Sequence, residues 1–120
     1  MGHKTLVWIG SSQKDLSKLP NDVIDFMIYG LRLAQRGERS TSTKSLKGFG
    51  GAGIIEIIDS DISGAYRTVY TISMKEVVFV LHLFQKKSKH GIKTLKRDMD
   101  LIKSRLKLAR EIYKAKFKKK

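Results

Sequence analysis

The sequence predicts an α+β fold in the order β-α-α-β-β-β-α, with an antiparallel-rich sheet and the helices packed on one face. Three observations predict this fold. A β-branched and aromatic run opens the chain, a helix-periodic segment follows, and three strand-like runs lead into a long amphipathic helix. At 120 residues the chain has the length of a single domain, 1–120, whose basic end, 113–120, is expected to fray.

The first half of the chain predicts one strand and one clear helix. Residues 5–9 are a short β-branched and aromatic run that ends at Gly10, which is typical of a strand. A brief helical turn is expected at 15–19. A helix then begins at Pro20 and ends at Gly37, because apolar residues recur between them at helical spacing: Val23, Ile24, Met27, Leu31 and Ala34.

The second half predicts a loop, three strands and a long helix. Residues 37–53 are polar and glycine-rich without periodicity, which predicts a loop. Strands are expected at 54–58, 66–72 and 77–84, and the turns that connect them are expected at 59–64 and 74–76. The last strand is apolar at nearly every position, which predicts a central strand covered on both faces. After a basic loop, 85–93, Thr94 is expected to cap a helix with a long apolar stripe: Leu95, Met99, Ile102, Leu106, Ala109 and Tyr113, widened by Leu101, Leu108 and Ile112.

Charge is the strongest compositional signal. Twenty-five Lys and Arg residues oppose eleven Asp and Glu residues, which gives a net charge of +14 and a pI near 10.2. Residues 1–60 hold 8 basic and 6 acidic residues, net +2, whereas 61–120 hold 17 and 5, net +12. Such clustering is typical of nucleic-acid binders, although an anionic membrane or an acidic protein would satisfy the same electrostatics.

Composition also excludes several kinds of site and location. The chain has no cysteine, which excludes disulfides, thiolate zinc sites and a cysteine nucleophile. No segment approaches the roughly twenty apolar residues that a membrane span requires, and residues 1–9 are too short and mixed for a signal peptide. We therefore expect a cytoplasmic protein with no membrane partner, no metal and no other cofactor.

Two motifs share letters with ligand sites but lack the required context. Residues 48–53 match the Gly-x-Gly-x-x-Gly dinucleotide fingerprint, but they precede a strand instead of opening a helix. Residues 59–64 resemble the start of a calcium loop, yet a tyrosine occupies the position of the bidentate glutamate. The three histidines lack metal-ligand spacing. We interpret His82 as a core residue and leave open a catalytic role for His82 or His90.

The basic segment after the last strand carries the clearest chemical signal. Residues 84–93 together with Lys96 and Arg97 combine an aromatic side chain with six basic residues. Strand alternation predicts one shared face for residues 78, 80, 82, 84 and 86. If Arg67 opens onto that face, Arg67 and Lys86 would flank a phosphate, with Phe84 as a stacking surface for a base. The alternative is a solvated basic edge in which Arg67 pairs with Glu56 across the strands.

Several stretches resemble the HigB/RelE-like toxins of type II toxin–antitoxin modules, particularly the phage-derived branch of the RelE/ParE superfamily. They lie at 6–12, 16–20, 46–53, 66–70 and 83–89, and the last continues into 96–98 and the following helix. The pairing of a Tyr-Arg-x-x-Tyr strand with a Phe-x-Lys-Lys strand end is the most specific feature. Two departures are that the family often has proline where Leu95 stands, and that the loop before Leu46 is richer in Ser and Thr.

The resemblance implies an endoribonuclease that cuts messenger RNA, commonly codon by codon on the ribosome, until a cognate antitoxin binds it. In this branch the antitoxin is usually a helix-turn-helix repressor. The resemblance places Arg67, Lys86 and Lys87 at the active site, with Lys47 and Phe84 assisting. A wider basic surface would bind messenger and ribosomal RNA: Lys89, His90, Lys93, Lys96, Arg97, Lys103 and Arg105.

The implied chemistry needs no metal, because RNA supplies its own 2′-hydroxyl nucleophile and the product is a 2′,3′-cyclic phosphate. Arg67 would neutralise charge on the phosphate, and Lys86 or Lys87 would transfer the proton, since clustered positive charge lowers a lysine's pKa. His90 could substitute, and Glu56 is a candidate base if it shares the face of Arg67. Two other functions stay open: a toxin that inhibits a protein target such as DNA gyrase, and a plain RNA-binding module.

Overall fold

The helices and strands follow the predicted order, with one additional strand. The structure, a computed structural model, describes residues 3–51, 53–61, 64–86 and 95–117. Its elements are β1 (Thr5–Trp8), α1 (Ser12–Ser17), α2 (Asn21–Gln35), β2 (Thr43–Ser45), β3 (Ile54–Asp61), β4 (Gly64–Thr71), β5 (Val77–Lys86), α3 (Lys96–Ile112) and a π-helix (Tyr113–Phe117). The predicted α+β class is confirmed.

Five strands form one mixed sheet in the order β1-β5-β4-β3-β2. The strand β1 is parallel to β5 and every other neighbouring pair is antiparallel, as expected for an antiparallel-rich sheet. The additional strand β2 lies within the predicted loop 37–53 and forms an edge by pairing with β3. It was not predicted because a three-residue Thr-Lys-Ser segment contains no apolar alternation.

Helices cover both faces of the sheet, so the prediction that they pack on one face is wrong. The helices α1 and α2 bury Leu16, Met27 and Leu31 against one face, whereas α3 buries Ile102 and Leu106 against the other. The physical reason lies in β5, which is buried at seven consecutive positions from Val77 onward. A strand that is apolar on both sides requires cover on both sides, as its sequence predicted.

The helix α2 forms where the sequence predicts it. Pro20 occupies the N-cap position, and Gly37, with a φ of +79°, follows the last turn. The apolar residues at helical spacing are turned toward the sheet, and four of them are buried: Val23, Met27, Leu31 and Ala34.

The helix α3 differs from the prediction at its start and in the width of its apolar stripe. It begins at Lys96 with Leu95 in the N-cap position, so the prediction of a Thr94 cap is wrong; Thr94 itself lies outside the described residues. Leu95 and Leu108 are 52% and 45% exposed. Leu108 lies about 200° around the helix from the buried Leu106, so it cannot reach the sheet. None of the described helices combines the length and apolar composition that crossing a membrane requires.

After α3 the chain continues as a π-helix from Tyr113 to Phe117. The π-helix places the Phe117 ring nearly perpendicular to the Phe79 ring, with centroids 6.3 Å apart, and nearly parallel to the Tyr113 ring at 6.1 Å. These contacts attach the end of α3 to the core beneath it. Residues 118–120 lie outside the described residues.

Two predicted loops are shorter than expected because strands extend into them. The strand β3 continues to Asp61 and β4 begins at Gly64, so 59–64 is not wholly a turn. The strand β5 includes Gln85 and Lys86, which were assigned to the basic loop. Both extensions are stabilised by ladder pairs with β4, in which Ala65 opposes Lys86.

Truncating the α3 side of the core should destabilise the protein strongly. Leu106→Ala removes a side chain that is 4% exposed between α3 and the sheet, and such truncations cost about 2–5 kcal/mol. Leu108→Ala on the same helix is the matched control and should cost much less, because Leu108 is 45% exposed. Urea unfolding of both variants measures the difference, and equal losses would contradict this placement of α3.

Candidate functional site

A β-bulge in β5 determines which side chains share a face of the sheet. Val69 pairs with His82, but the next residue, Tyr70, pairs with Val80. Leu81 is therefore an extra residue that reverses the alternation along the rest of the strand. The predicted common face for residues 78, 80, 82, 84 and 86 is thus wrong: the first two lie on the α2 side and the last three on the α3 side.

The bulge is held by a side chain from α3. Arg105 donates from Nη1 to the Leu81 carbonyl oxygen at 2.9 Å and from Nη2 to Ser11 Oγ at 3.2 Å. The guanidinium lies so close to the turn after β1 that a Cβ at Gly10, where φ is +58°, would be 2.8 Å from it. Arg105 therefore satisfies a carbonyl at the disrupted point of the ladder, and it is not a free member of the expected basic surface.

Four charged side chains and one ring meet on the α3 face of β2 to β5. Lys44 lies opposite Glu56, and Arg67 lies opposite Phe84. Glu56 binds Arg67 across the sheet, and Lys86 follows Phe84 by two residues on the same face. We call these five residues the charged cluster. Of the predicted site residues, it brings together Arg67, Phe84 and Lys86.

The Arg67–Glu56 ion pair is the buried part of the charged cluster. Arg67 Nη1 donates to Glu56 Oε2 at 3.0 Å, and the two side chains are 6% and 0% exposed. The alternative pairing proposed from the sequence is therefore present, but it is buried and not part of a solvated edge. No described residue accepts a hydrogen bond from Arg67 Nε. A phosphate can reach this guanidinium only if its surroundings rearrange.

Lys86 is the part of the charged cluster best suited to proton transfer. Desolvation lowers the pKa of Lys86 below its ordinary value, and the charges of Arg67 and Lys44 lower it further. Glu56 and Asp98 act in the opposite direction without cancelling the shift. A lysine with a lowered pKa is a better proton donor and acceptor near neutral pH.

His82 and Asp98 connect β5 to the first turn of α3. His82 Nε2 donates to Asp98 Oδ1 at 2.8 Å, since an ionised carboxylate can only accept. The His82 ring also stacks on Phe84, with centroids 4.8 Å apart and planes 18° from parallel. His82 is 7% exposed, which agrees with its interpretation as a core residue, but no described residue bonds to its Nδ1.

The remaining predicted RNA-binding residues fall into two groups. Lys96 and Arg97 are exposed in the first turn of α3, next to Asp98, and Lys96 forms an exposed pair with Asp100 at 2.9 Å. Lys47 is exposed on the glycine-rich loop, where a Cβ at the adjacent Gly48 would lie 3.0 Å from Met99 of α3. Lys103 is also exposed on α3. Four more predicted residues lie outside the described residues: Lys87, Lys89, His90 and Lys93.

Sequence reasoning missed Lys44 and Asp98 as neighbours of this site. Lys44 was assigned to a loop, because β2 is short and polar. Asp98 was passed over because alternation placed His82 on the wrong face. The charge at Lys44 gave no signal by itself, since an isolated lysine is usually solvated.

The Tyr-Arg-x-x-Tyr motif is divided between the two faces of β4. Arg67 faces α3, whereas Tyr66 and Tyr70 face α2. Tyr70 is fully buried, and burial raises its pKa to about 12 against an opposing effect of Arg39. This tyrosine therefore belongs to the core and not to the charged cluster. Within the described part of the chain, no group of His, Cys, Asp or Glu residues is arranged to hold a metal ion.

Comparison with protein-family models relates most of this chain to a described family. The family model described as "Phage derived protein Gp49-like" matches residues 14–107, a range that contains the entire charged cluster as well as His82 and Asp98. Searches of curated proteins and of solved structures found no significant match.

The buried ion pair should behave as a coupled unit. Glu56→Gln leaves the buried charge of Arg67 uncompensated, and Arg67→Met removes the guanidinium from the buried Glu56 carboxylate; breaking such a pair typically costs about 3–5 kcal/mol. The double variant should cost less than the sum of the two. Chemical denaturation measures all three variants. Arg36→Met, which breaks the exposed Arg36–Glu38 pair at 3.6 Å, is the control and should cost about 0–1 kcal/mol; additive costs at Glu56 and Arg67 would contradict the coupling.

Removing a neighbouring cation should raise the pKa of Lys86. Lys44→Met eliminates one of the positive charges that lower this pKa, so the Lys86 ammonium should hold its proton to higher pH. Lys14→Met, an exposed substitution on α1, is the matched control and should leave the titration unchanged. NMR titration of the Lys86 side chain measures both variants. An unchanged midpoint in Lys44→Met would show that the two ammonium groups do not interact.

Proposed function

The chain belongs to the Gp49-like family of phage-derived proteins, a toxin-like family of toxin–antitoxin systems, and from this premise we propose that it is a messenger-RNA endonuclease. It would be the toxin of a type II module, of the HigB/RelE kind that its sequence resembles. In this proposal it acts in the cytoplasm, inhibits translation by cutting messages on the ribosome, and is neutralised by an antitoxin, a helix-turn-helix repressor.

The observation that carries the proposal is the position of Lys86. Its ammonium lies at the end of β5 beside Arg67 and Lys44, where burial and these two cations lower its pKa. Phe84 lies two residues away on the same face. A cationic site with an aromatic ring beside it suits an RNA strand, because phosphates bind the cations and a base stacks on the ring.

The proposed reaction uses the RNA's own 2′-hydroxyl. Its oxygen attacks the adjacent phosphorus, the bond from phosphorus to the 5′-oxygen breaks, and a 2′,3′-cyclic phosphate forms. One proton leaves the 2′-hydroxyl and one is taken up by the departing 5′-oxygen. Lys86 would transfer one of these protons, and Lys87 is retained as the second candidate.

Arg67 supports this reaction by position and charge. It lies opposite Phe84 and lowers the pKa of Lys86, so it shapes the site even while it binds Glu56. Glu56 shares the face of Arg67, which was the condition for a role as base. Because Glu56 is fully buried and pairs with Arg67, we assign it to holding the guanidinium. Direct contact of Arg67 with the phosphate would require the rearrangement described above.

RNA binding would extend beyond the reacting phosphate. Lys96 and Arg97 expose two cations on the first turn of α3, and Lys47 exposes one on the loop that packs beside that turn. Contacts of this kind release counterions, so affinity should fall as salt increases. Lys89, His90 and Lys93 belong to the same proposed surface on the basis of sequence.

The test is to map the 5′ ends of cellular transcripts after tightly controlled induction of the chain. The wild-type chain should produce cuts within translated codons, and Lys86→Met should reduce their frequency at least tenfold, because proton transfer typically contributes about 10²–10⁴-fold. Arg67→Ala should also abolish cutting. Lys14→Met, which removes an exposed lysine on α1, should cut like the wild type.

Two further measurements make the test decisive. Circular dichroism must show that Lys86→Met and Arg67→Ala are folded, because Arg67 is also part of the buried ion pair. Analysis of the 3′ ends should find cyclic phosphates. Growth arrest with intact messages would refute the nuclease proposal.

The buried Arg67–Glu56 pair favours a second candidate function. A guanidinium that is 6% exposed and neutralised by a carboxylate fits a structural role, in which case the toxin would act by binding a protein target such as DNA gyrase. Toxicity that survives Lys86→Met and Arg67→Ala, with no transcript cleavage, would support this function. Tight RNA binding that leaves RNA intact and is not toxic would instead indicate a plain RNA-binding module.

A further inference from the structure

The proposed reaction assigns no role to the His82–Asp98 pair. We propose that His82 and Asp98 are positioning residues that fix the Phe84 ring as a stacking platform for an RNA base. This inference rests on the proposed function, in that the ligand of the site is RNA. Neither residue touches the reacting phosphate, and in this positioning role both act through Phe84.

The hydrogen bond determines the orientation of the histidine ring. Asp98 Oδ1 accepts from His82 Nε2 at 2.8 Å, and both partners are mostly buried, at 9% and 15% side-chain exposure. An imidazole N–H bond lies in the plane of its ring, so a short bond to a fixed acceptor restricts rotation of that plane. The acceptor is itself fixed, because Asp98 belongs to the first turn of α3.

The orientation of His82 in turn determines that of Phe84. The two rings are stacked with centroids 4.8 Å apart and an interplanar angle of 18°. Phe84 lies between Arg67 across the ladder and Lys86 two residues along the strand. A base that stacks on this ring would therefore bring its own backbone phosphate close to Lys86, and close to Arg67 after the rearrangement described above, which is the arrangement that the proposed cleavage requires.

Burying the His82–Asp98 pair costs more free energy than is needed merely to hold α3 against the sheet. His82 is 7% exposed, and none of the described residues bonds to its buried Nδ1. Burying this polar edge costs free energy that an apolar pair of similar size would avoid. The contacts of Ile102 and Leu106 already attach α3 to the sheet. We therefore assign the hydrogen bond between His82 and Asp98 to orienting the histidine ring.

The test is a double-mutant cycle on RNA binding and cleavage. Asp98→Ala should raise KM about tenfold with a smaller change in kcat, since base–aromatic stacking contributes to binding. Asp98→Asn keeps an acceptor oxygen and should retain most of the affinity. In a Phe84→Leu background, Asp98→Ala should have little further effect, because the platform is already lost. Additive losses, or an Asn variant as impaired as the Ala variant, would overturn the inference.

A second readout separates this inference from the proposed nuclease activity. The dissociation constant is measured for a short single-stranded RNA whose 2′-hydroxyls are methylated, so that it cannot be cut by the proposed route. NMR of the Phe84 ring protons reports the stack in the free protein, and these shifts should change in Asp98→Ala but not in Asp98→Asn. If the wild type binds this RNA but cleaves no message, the nuclease proposal fails and the cycle on Kd still decides the inference. If the wild type does not bind this RNA, or if Phe84→Leu binds it with unchanged affinity, the inference about His82 and Asp98 is overturned.

Discussion

The extra residue in β5 is the constraint on which the arrangement of the site depends. If the alternation ran through Leu81 without the bulge, residues 82, 84 and 86 would face α2 like Val80, and Arg67 would meet none of them. The extra residue disrupts the ladder, and the arginine from α3 offsets that cost by bonding the Leu81 carbonyl oxygen. The same arginine lies against Gly10 in the turn after β1, where the φ of +58° favours glycine. A local irregularity of the sheet is thus coupled to the packing of α3 and to the first turn of the chain.

The charged cluster shows how like charges are kept together in a small domain. Arg67, Lys44 and Lys86 repel one another on the same face of the sheet, where Arg67 is buried, Lys86 is partly buried and Lys44 is exposed. Glu56 compensates by pairing with Arg67 at 3.0 Å, while Lys86 adjusts through a lower pKa. A buried ion pair adds little to stability compared with an apolar pair. Its value here lies in fixing where the positive charge is placed, at the boundary between the core and the exposed end of β5.

The sequence was sufficient for the element order, because helix α2 and strand β5 have strong and different hydrophobic periods. It was insufficient where a single residue changes the geometry. No pattern marks Leu81 as a bulge, so His82 and Phe84 were assigned to the wrong face. The strand β2 was missed because an edge strand with solvated side chains lacks alternation, and Lys44 was missed with it. The sequence predicted the Arg67–Glu56 pair as one alternative, on a solvated edge. It did not predict that the pair is buried, because the burial depends on how α3 covers that face of the sheet.

The parallel pairing of β1 with β5 affects the order in which the molecule can assemble during synthesis. Thr5 pairs with Val77 and Trp8 with Val80, so β1 must wait for a partner that is synthesised about seventy residues later. Closing so long a loop carries an entropy cost that only the finished sheet can offset. The strand β5 that completes this pairing also carries Phe84 and Lys86. A nascent chain therefore cannot assemble its charged cluster until β5 has emerged from the ribosome, long after β1.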